Sequence, residues 1–159
     1  MDTWWIDDPH LLASRNPALA DLEQLRRDGF EVLISLLKED EQAPPYDVAR
    51  AAALGFRRHN IPVKDFSPPT VAQLEHFLSL IADARGAKTI VHCEGGSGRT
   101  GTFAAAYWVA KGLNVSDAIT RVREARYHAV ETPEQEAALR EFAAKHSSLV
   151  LITGQKKGT

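Results

Sequence analysis

The chain has 159 residues, of which 44% are hydrophobic and 25% are charged, a balance typical of one globular domain with a sizeable core. Its formal net charge of -2 argues against a surface that coats nucleic acid. The single cysteine excludes an intrachain disulfide and a zinc site built on several cysteines.

The first part of the chain predicts four strands and two helices. In chain order these are strands at Trp4–Ile6 and Leu11–Ser14, a helix ending at Gly29, a buried strand at Phe30–Leu37, a short helix at Asp47–Leu54 and a strand at Arg57–Val63. For the first helix, Asn16 is a good N-cap and Pro17 a good first residue, and the leucines at 19, 22 and 25 share one face.

The remainder predicts one more strand and four helices. They are a helix from Thr70 to Gly86, a strand at Lys88–Cys93, helices at Arg99–Lys111 and Ser116–Arg126, and a helix from the Thr132 capping box to about Lys145. Residues 148–159 are expected to form a partly disordered tail, in which Leu149–Ile152 could add a strand or a helical turn. This order predicts an α/β fold, with one domain over residues 1–147 and a mixed central sheet flanked by helices.

A glycine-rich segment between a predicted strand and a predicted helix carries the strongest chemical signal: Val91-His92-Cys93-Glu94-Gly95-Gly96-Ser97-Gly98-Arg99-Thr100-Gly101. Backbone N–H groups in such a loop, together with the helix dipole, can converge on the non-bridging oxygens of a phosphate dianion. Arg99 can add a planar, two-pronged contact to two of these oxygens. The same positive environment favours the thiolate form of Cys93, so one loop can both bind phosphate and activate a nucleophile.

Other interpretations of this segment are weaker. Residues 96–101 also spell G-x-G-x-x-G, but a dinucleotide-binding motif usually lies in the first strand–helix unit, with an acidic residue about 20 positions further on. A nucleotide-triphosphate loop would need lysine where the chain has Arg99. A buried cysteine can also be an inert core residue, although the glycines after Cys93 argue against that here.

Cys93, five intervening residues, Arg99 and Thr100 match the signature of the protein tyrosine phosphatase superfamily, and the chain most resembles its small, atypical dual-specificity members over nearly its whole length. The resemblance implies that Cys93 is the nucleophile and that Arg99 and the backbone amides of residues 94–99 hold phosphate. It also implies that Thr100 stabilises the leaving sulfur and that His92 organises the loop, with a purely structural role for His92 left open. Glu94 must point outward, because it would otherwise oppose the substrate.

The departing oxygen of the substrate needs a proton, and Asp65 is the candidate general acid. It lies on a predicted loop before the Thr70 helix and resembles the general-acid loop of the family, although Lys64 stands where that loop commonly has proline. A turn aspartate is the alternative interpretation of Asp65, and Asp40 and Asp47 are weaker candidates for the acid.

Two later residues are possible supports for the site. Gln135 aligns with a glutamine that positions water in related enzymes, and it is equally the capping-box partner of Thr132. Arg126 matches a family position near the site, but Tyr127-His128 stands where Pro-Gly often follows, which leaves its role open.

The sequence therefore predicts a phosphomonoester hydrolase, without metal or cofactor, that acts on phosphotyrosine proteins, and potentially on phosphoserine and phosphothreonine, through a phosphocysteine intermediate. A non-protein substrate, such as a phosphoinositide, a sugar phosphate or an RNA end, is the main alternative. A loop that contains Glu94 and no lysine is a poor match for polyanionic inositol phosphates. A catalytically weak phosphate-binding module is a further alternative, although it would be expected to lack Cys93, Arg99 or Asp65.

The expected partner is thus a phosphorylated protein or another phosphomonoester, with neither nucleic acid nor membrane as a partner. No apolar run reaches the length of a membrane span, and Met1–His10 is acidic and does not match a signal peptide. A cytoplasmic location is expected, because a lone thiol survives best in a reducing compartment.

Overall fold

The computed structural model describes residues 1–155, with side chains described up to residue 146. In this part of the chain the strands are β1 (Thr3–Asp7), β2 (Leu11–Ser14), β3 (Phe30–Leu37), β4 (Arg57–Val63) and β5 (Lys88–His92). The helices are α1 (Leu19–Arg27), α2 (Val48–Ala53), α3 (Val71–Asp83), α4 (Gly98–Ala110), α5 (Val115–Ala125) and α6 (Pro133–Gln155). None of the helices in residues 1–155 combines the length and the apolar composition that crossing a membrane requires.

The five strands form one mixed sheet in the order β1-β2-β5-β3-β4. β1 is antiparallel to β2, whereas the neighbouring pairs β2 and β5, β5 and β3, and β3 and β4 are parallel. The central strands β3 and β5 are almost continuously buried, as expected of parallel strands that are covered on both faces.

Helices cover both faces of this sheet. Leu33 and Ile90 lie in a smaller core with residues of α1 and α2, while the adjacent Ile34 and Val91 lie in a larger core with residues of α3 to α6. This division follows from the alternation of side chains along a strand. The predicted α/β fold, a mixed central sheet flanked by helices, is confirmed.

The carboxyl ends of the parallel strands all lie at one edge of the sheet. At that edge β2 leads to Asn16, β3 to the loop that contains Gln42, β4 to Asp65 and β5 to Cys93. Ligand sites of open α/β sheets are expected at this edge.

Most predicted boundaries lie within one residue of the observed ones, and the larger differences include those at α1 and α6. The N-cap of α1 is Ala18 rather than Asn16, because the Asp21 carboxylate accepts a hydrogen bond from the Ala18 N–H at 2.9 Å and Asn16 bonds to a distant loop. Strand β5 ends at His92, one residue before the expected end at Cys93.

The largest difference concerns the last helix. It was predicted to end near Lys145 but continues to Gln155, because no glycine or proline interrupts the chain between residues 146 and 153. The backbone of residues 149–152 is therefore helical. The predicted disorder of the tail stays a prediction, and its last four positions, 156–159, lie outside the described residues.

Candidate active site

Residues 93–97 form a tight loop between β5 and the first turn of α4. Cys93 is buried, and its Sγ accepts hydrogen bonds from the Gly96 N–H at 3.2 Å and from the Thr100 hydroxyl at 3.0 Å. The Sγ atom thus lies beside the N-terminus of α4 with two donors directed at it. This environment stabilises a negative charge on the sulfur.

Gly96 allows the loop to pack directly against the end of β2. Its φ is +75°, and a Cβ at this position would lie 2.8 Å from backbone atoms of Ser14 and Arg15. Both the left-handed backbone and this close approach require glycine here.

The Arg99 side chain is only 2% exposed, and three groups contact the two terminal nitrogens of its guanidinium. Nη1 donates to the Val63 carbonyl at 2.9 Å, and Nη2 donates to Oε1 of Gln42 at 2.8 Å. Nη2 also lies 3.3 Å from an Asp65 carboxylate oxygen. These contacts fix the plane of the guanidinium beside the loop.

Asp65, the predicted acid, lies next to Arg99 on the loop that follows β4. Its Oδ2 accepts a hydrogen bond from Nε2 of Gln42 at 3.2 Å, and its side chain is 41% exposed. The two rival aspartates lie elsewhere. Asp40 is an exposed partner of Lys38, and Asp47 is the N-cap of α2, where it accepts from a backbone N–H.

His92 is completely buried, and the loss of hydration lowers the pKa of its imidazole to about 3, so the ring is neutral at physiological pH. Nδ1 lies 3.3 Å from the Cys93 carbonyl, which can only accept, so Nδ1 carries the proton. Nε2 then accepts from the Tyr46 hydroxyl at 2.8 Å, and the Tyr46 oxygen accepts from Nε of Arg58 at 3.1 Å. This chain of hydrogen bonds fixes the ring and the backbone at Cys93.

Glu94 points out of the loop, as the sequence required. Asn16 holds it, because the Asn16 side-chain amide donates to the Glu94 carboxylate at 2.9 Å and the Asn16 N–H donates to the Glu94 carbonyl at 2.8 Å. The carboxylate therefore lies in an exposed position at the rim of the loop.

Arg126 contacts the outer side of the same loop. Its Nε donates to the Ser97 hydroxyl at 2.9 Å, and its Nη2 donates to the Gly95 carbonyl at 2.9 Å. Its two Nη atoms also pair with the two carboxylate oxygens of Asp2, each at 2.8 Å. The hydrogen bonds between the two side chains lower the pKa of the Asp2 carboxyl and raise the pKa of the Arg126 guanidinium.

Gln135 is fully buried at the start of α6. Its side-chain oxygen accepts from the N–H groups of Glu131 and Thr132 at 2.8 and 3.2 Å, and its amide nitrogen donates to the Ser67 carbonyl at 3.5 Å. The capping interpretation of Gln135 is therefore confirmed, and the contact with Ser67 ties it to the loop that bears Asp65. Its proposed role with water stays a prediction.

The model of the family described as "PTP-SAK: Swiss Army Knife protein, DSP-PTPase phosphatase domain" matches residues 2–145. The chain belongs to this family of dual-specificity-type phosphatases. The predicted resemblance to the small, atypical dual-specificity phosphatases, and the predicted class of enzyme, are thereby confirmed.

Known relatives agree with this membership. The crystal structure of Tk-PTP in the active form superposes with a TM-score of 0.82 and 33% identity, covering 90% of this chain and 97% of that one. The human dual specificity protein phosphatase CDC14C is 37% identical over 92 residues, which are 57% of this chain and 20% of that protein. The phosphatidylglycerophosphate phosphatase PTPMT2 of Arabidopsis thaliana is 27% identical over 151 residues, 92% of this chain and 65% of that protein. The chain thus spans about a fifth of one curated relative and about two thirds of another.

Sequence reasoning missed five residues of this phosphatase whose side chains contact the site, namely Asp2, Trp4, Asn16, Gln42 and Tyr46. None of them lies in a motif, and each reaches the site only through the fold. Within residues 1–155, no group of three or more His, Cys, Asp or Glu side chains is arranged to hold a metal ion.

Proposed function

We propose that this phosphatase hydrolyses phosphomonoesters through Cys93, with phosphotyrosine proteins as its first substrate class and phosphoserine and phosphothreonine as further ones. The observation that carries the proposal is the environment of the Cys93 sulfur, which accepts hydrogen bonds from the Gly96 N–H and the Thr100 hydroxyl at the start of α4. A thiol held in this way is suited to attack on phosphorus.

In the first step the Cys93 sulfur attacks phosphorus in line, so that the S–P bond forms as the bond to the ester oxygen breaks. Asp65 gives its proton to the departing oxygen. Arg99 and the loop amides hold the three equatorial oxygens, whose charge they stabilise in the transition state. The products of this step are the free alcohol or phenol and a phosphocysteine.

In the second step water attacks the phosphocysteine. The Asp65 carboxylate takes a proton from the water, the S–P bond breaks, and inorganic phosphate leaves. The Thr100 hydroxyl, 3.0 Å from Sγ, stabilises the departing thiolate by donating a hydrogen bond. The cycle returns protonated Asp65 and the Cys93 thiolate, so each turnover consumes only the phosphomonoester and water and needs no cofactor.

Negative charge at the rim of the loop favours substrates that carry a single phosphate group. The Glu94 carboxylate is anchored beside the loop, and Glu131 packs so closely on its other side that a Cβ at Gly98 would lie 2.9 Å from Cδ of Glu131. Both carboxylates would repel further phosphates of a polyanionic ligand. Phe66, which follows Asp65 and is 62% exposed, offers an aromatic surface for the ring of phosphotyrosine.

A phospholipid phosphomonoester is the second candidate substrate. It is favoured by the similarity to PTPMT2, a protein named as a phosphatidylglycerophosphate phosphatase, over 92% of this chain. We place either reaction in a reducing compartment such as the cytoplasm, since oxidation would inactivate the single thiol.

Phosphate release from a panel of substrates tests the proposal. The panel contains phosphotyrosine, phosphoserine and phosphothreonine peptides, phosphatidylglycerophosphate in vesicles, phosphoinositides and sugar phosphates, compared by kcat/KM. We expect the highest value for phosphotyrosine peptides and none above background for Cys93→Ser. The variant should still show a phosphate-dependent rise in Tm, because the amide cradle remains.

Two outcomes would contradict this proposal. Near-normal hydrolysis by Cys93→Ser would remove Cys93 as the nucleophile. A kcat/KM for phosphatidylglycerophosphate that exceeds the value for every peptide would favour the lipid substrate.

A further inference from the structure

We propose that Asp2, Trp4 and Arg126 form an outer brace, a set of positioning residues that aims the backbone amides of the phosphate loop at the bound phosphate. The inference rests on the proposed function, because it assumes that this loop is the phosphate site. It adds residues that lie outside the signature motif and behind the loop.

The brace acts on consecutive carbonyl groups of the loop. Three carbonyl oxygens in a row accept a hydrogen bond from outside: Glu94 from the Asn16 N–H at 2.8 Å, Gly95 from Nη2 of Arg126 at 2.9 Å, and Gly96 from Nε1 of Trp4 at 2.8 Å. Two of these three donors belong to side chains of the brace.

Anchoring a carbonyl also sets the direction of an N–H group. In a planar trans peptide the C=O of one residue and the N–H of the next point in opposite directions. Carbonyls held outward at residues 94–96 therefore turn the N–H groups of residues 95–97 inward. The Gly96 N–H confirms this direction, since it donates to the Cys93 sulfur inside the cup.

The loop needs such anchors because its composition gives it little rigidity. Gly95 and Gly96 are adjacent, and glycine populates conformations that other residues avoid, so the peptide unit between them can rotate at low cost. A rotated unit would direct the Gly95 carbonyl at the phosphate and turn one donor away. Arg126 opposes this rotation by bonding to that carbonyl and to the Ser97 hydroxyl.

Asp2 in turn fixes Arg126. A long arginine side chain loses rotamer freedom when it is held, and the two-pronged pair with Asp2 offsets this cost at a site where Arg126 is 25% exposed. Asp2 itself is placed by the backbone, because its carbonyl accepts from the Arg15 N–H at 3.1 Å. The brace is therefore connected to the sheet through the β1–β2 hairpin.

The test compares phosphate binding with stability in four variants. Asp2→Asn removes the charge and one acceptor, Asp2→Glu retains the charge, Trp4→Phe removes only the indole N–H from an aromatic ring, and Arg126→Lys removes the two-pronged contact. The control is Glu75→Gln, which replaces a carboxylate of exposure similar to that of Asp2 and breaks its ion pair, at 2.7 Å from Lys145, between α3 and α6. Each protein is assayed for its phosphate Kd by calorimetry, for kcat and KM with an aryl phosphate, and for Tm.

We expect the phosphate Kd and the KM to rise about fivefold in Asp2→Asn and about tenfold in Trp4→Phe and Arg126→Lys, with Asp2→Glu returning toward wild type. Glu75→Gln should change Tm by as much as Asp2→Asn but leave the phosphate Kd unchanged. The double variant of Asp2→Asn with Arg126→Lys should bind phosphate no worse than Arg126→Lys alone, because Asp2 acts only through Arg126.

The inference is overturned if Asp2→Asn and Trp4→Phe both bind phosphate within twofold of wild type, or if the losses of the Asp2 and Arg126 variants simply add. If Asp2→Asn does not fold, the inference is overturned when Trp4→Phe and Arg126→Lys both bind phosphate within twofold of wild type. A wild-type protein that binds phosphate with this dependence but hydrolyses nothing would refute the proposed function and leave the brace standing.

Discussion

Gln42 offers a sharp prediction, because one side chain contacts both groups on which catalysis should depend. Its oxygen accepts from Nη2 of Arg99 at 2.8 Å, and its nitrogen donates to the Asp65 carboxylate at 3.2 Å. Gln42→Met retains the length and bulk of the side chain but removes both hydrogen bonds. The Arg99 guanidinium would then lose a charge-assisted contact in a buried position.

The magnitude follows from these two contacts. Hydrogen bonds to charged groups contribute about 1.5–3 kcal/mol where they are buried, and the contact with Asp65 counts for less because that side chain is 41% exposed. Arg99 keeps its bond to the Val63 carbonyl, so only part of its orientation is lost. We expect kcat/KM to fall about 10- to 100-fold, which corresponds to about 1.4–2.7 kcal/mol.

Steady-state kinetics on two substrates separates the two contacts. Loss of the contact with Arg99 should raise KM and the inhibition constant of phosphate for any substrate. Loss of the contact with Asp65 should lower kcat more for a phosphotyrosine peptide, whose leaving oxygen is strongly basic, than for p-nitrophenyl phosphate. Gln24→Met is the matched control, because Gln24 makes its hydrogen bonds on the surface of α1. The reasoning is refuted if Gln42→Met and Gln24→Met differ by less than threefold on both substrates.

Three further predictions concern the acid, the loop and the buried histidine. Asp65→Asn should lower kcat/KM about 100-fold for a phosphotyrosine peptide and less than tenfold for p-nitrophenyl phosphate, and equal losses would show that Asp65 only shapes its loop. Gly96→Ala should lower the free energy of unfolding in urea by about 2 kcal/mol and lower kcat/KM at least tenfold. The reason is that φ at this position is +75° and the new Cβ would lie 2.8 Å from backbone atoms. Wild-type values of both quantities would contradict this packing. The pKa of His92 is about 3 in the folded protein and about 6.5 in the unfolded protein. As the pH falls below 6.5, the unfolded state binds a proton that the folded state does not. The free energy of unfolding therefore decreases, by up to about 1.4 kcal/mol per pH unit. Urea unfolding at pH 7 and pH 5 should show a smaller loss in His92→Asn, and an identical loss would assign the pH dependence to other groups.

Most of the fold was predictable because its signals are local. The central strands β3 and β5 are short apolar runs, and the capping box at Thr70 marks the start of α3 and holds in the structure. The error at the start of α1 arose because a local signal had a distant competitor. Asn16 is a suitable N-cap by type, but the Glu94 loop takes both its side-chain amide and its backbone N–H. Polar residues such as Asn16 are often used in tertiary contacts that a sequence pattern does not reveal.

The residues of the site also divide into those that a local motif reveals and those that only the fold brings together. In the proposed mechanism Cys93, Arg99 and Thr100 surround one phosphorus atom. A loop and one helical turn bring them together, so the sequence displays them as a motif. Their supports need only reach the outer side of that loop, and any element that ends nearby can provide them. Trp4 reaches Gly96 from 92 positions away, and Asp2 reaches Arg126 across 124.

Contacts at such separations leave no periodic or spaced signature in a single sequence. They nevertheless hold carbonyl groups of the loop and so direct the N–H groups that follow them. The motif therefore specifies which groups react, and the residues around it specify their orientation. Two phosphatases with the same motif but different braces should bind phosphate with different affinities, although their reacting groups are the same.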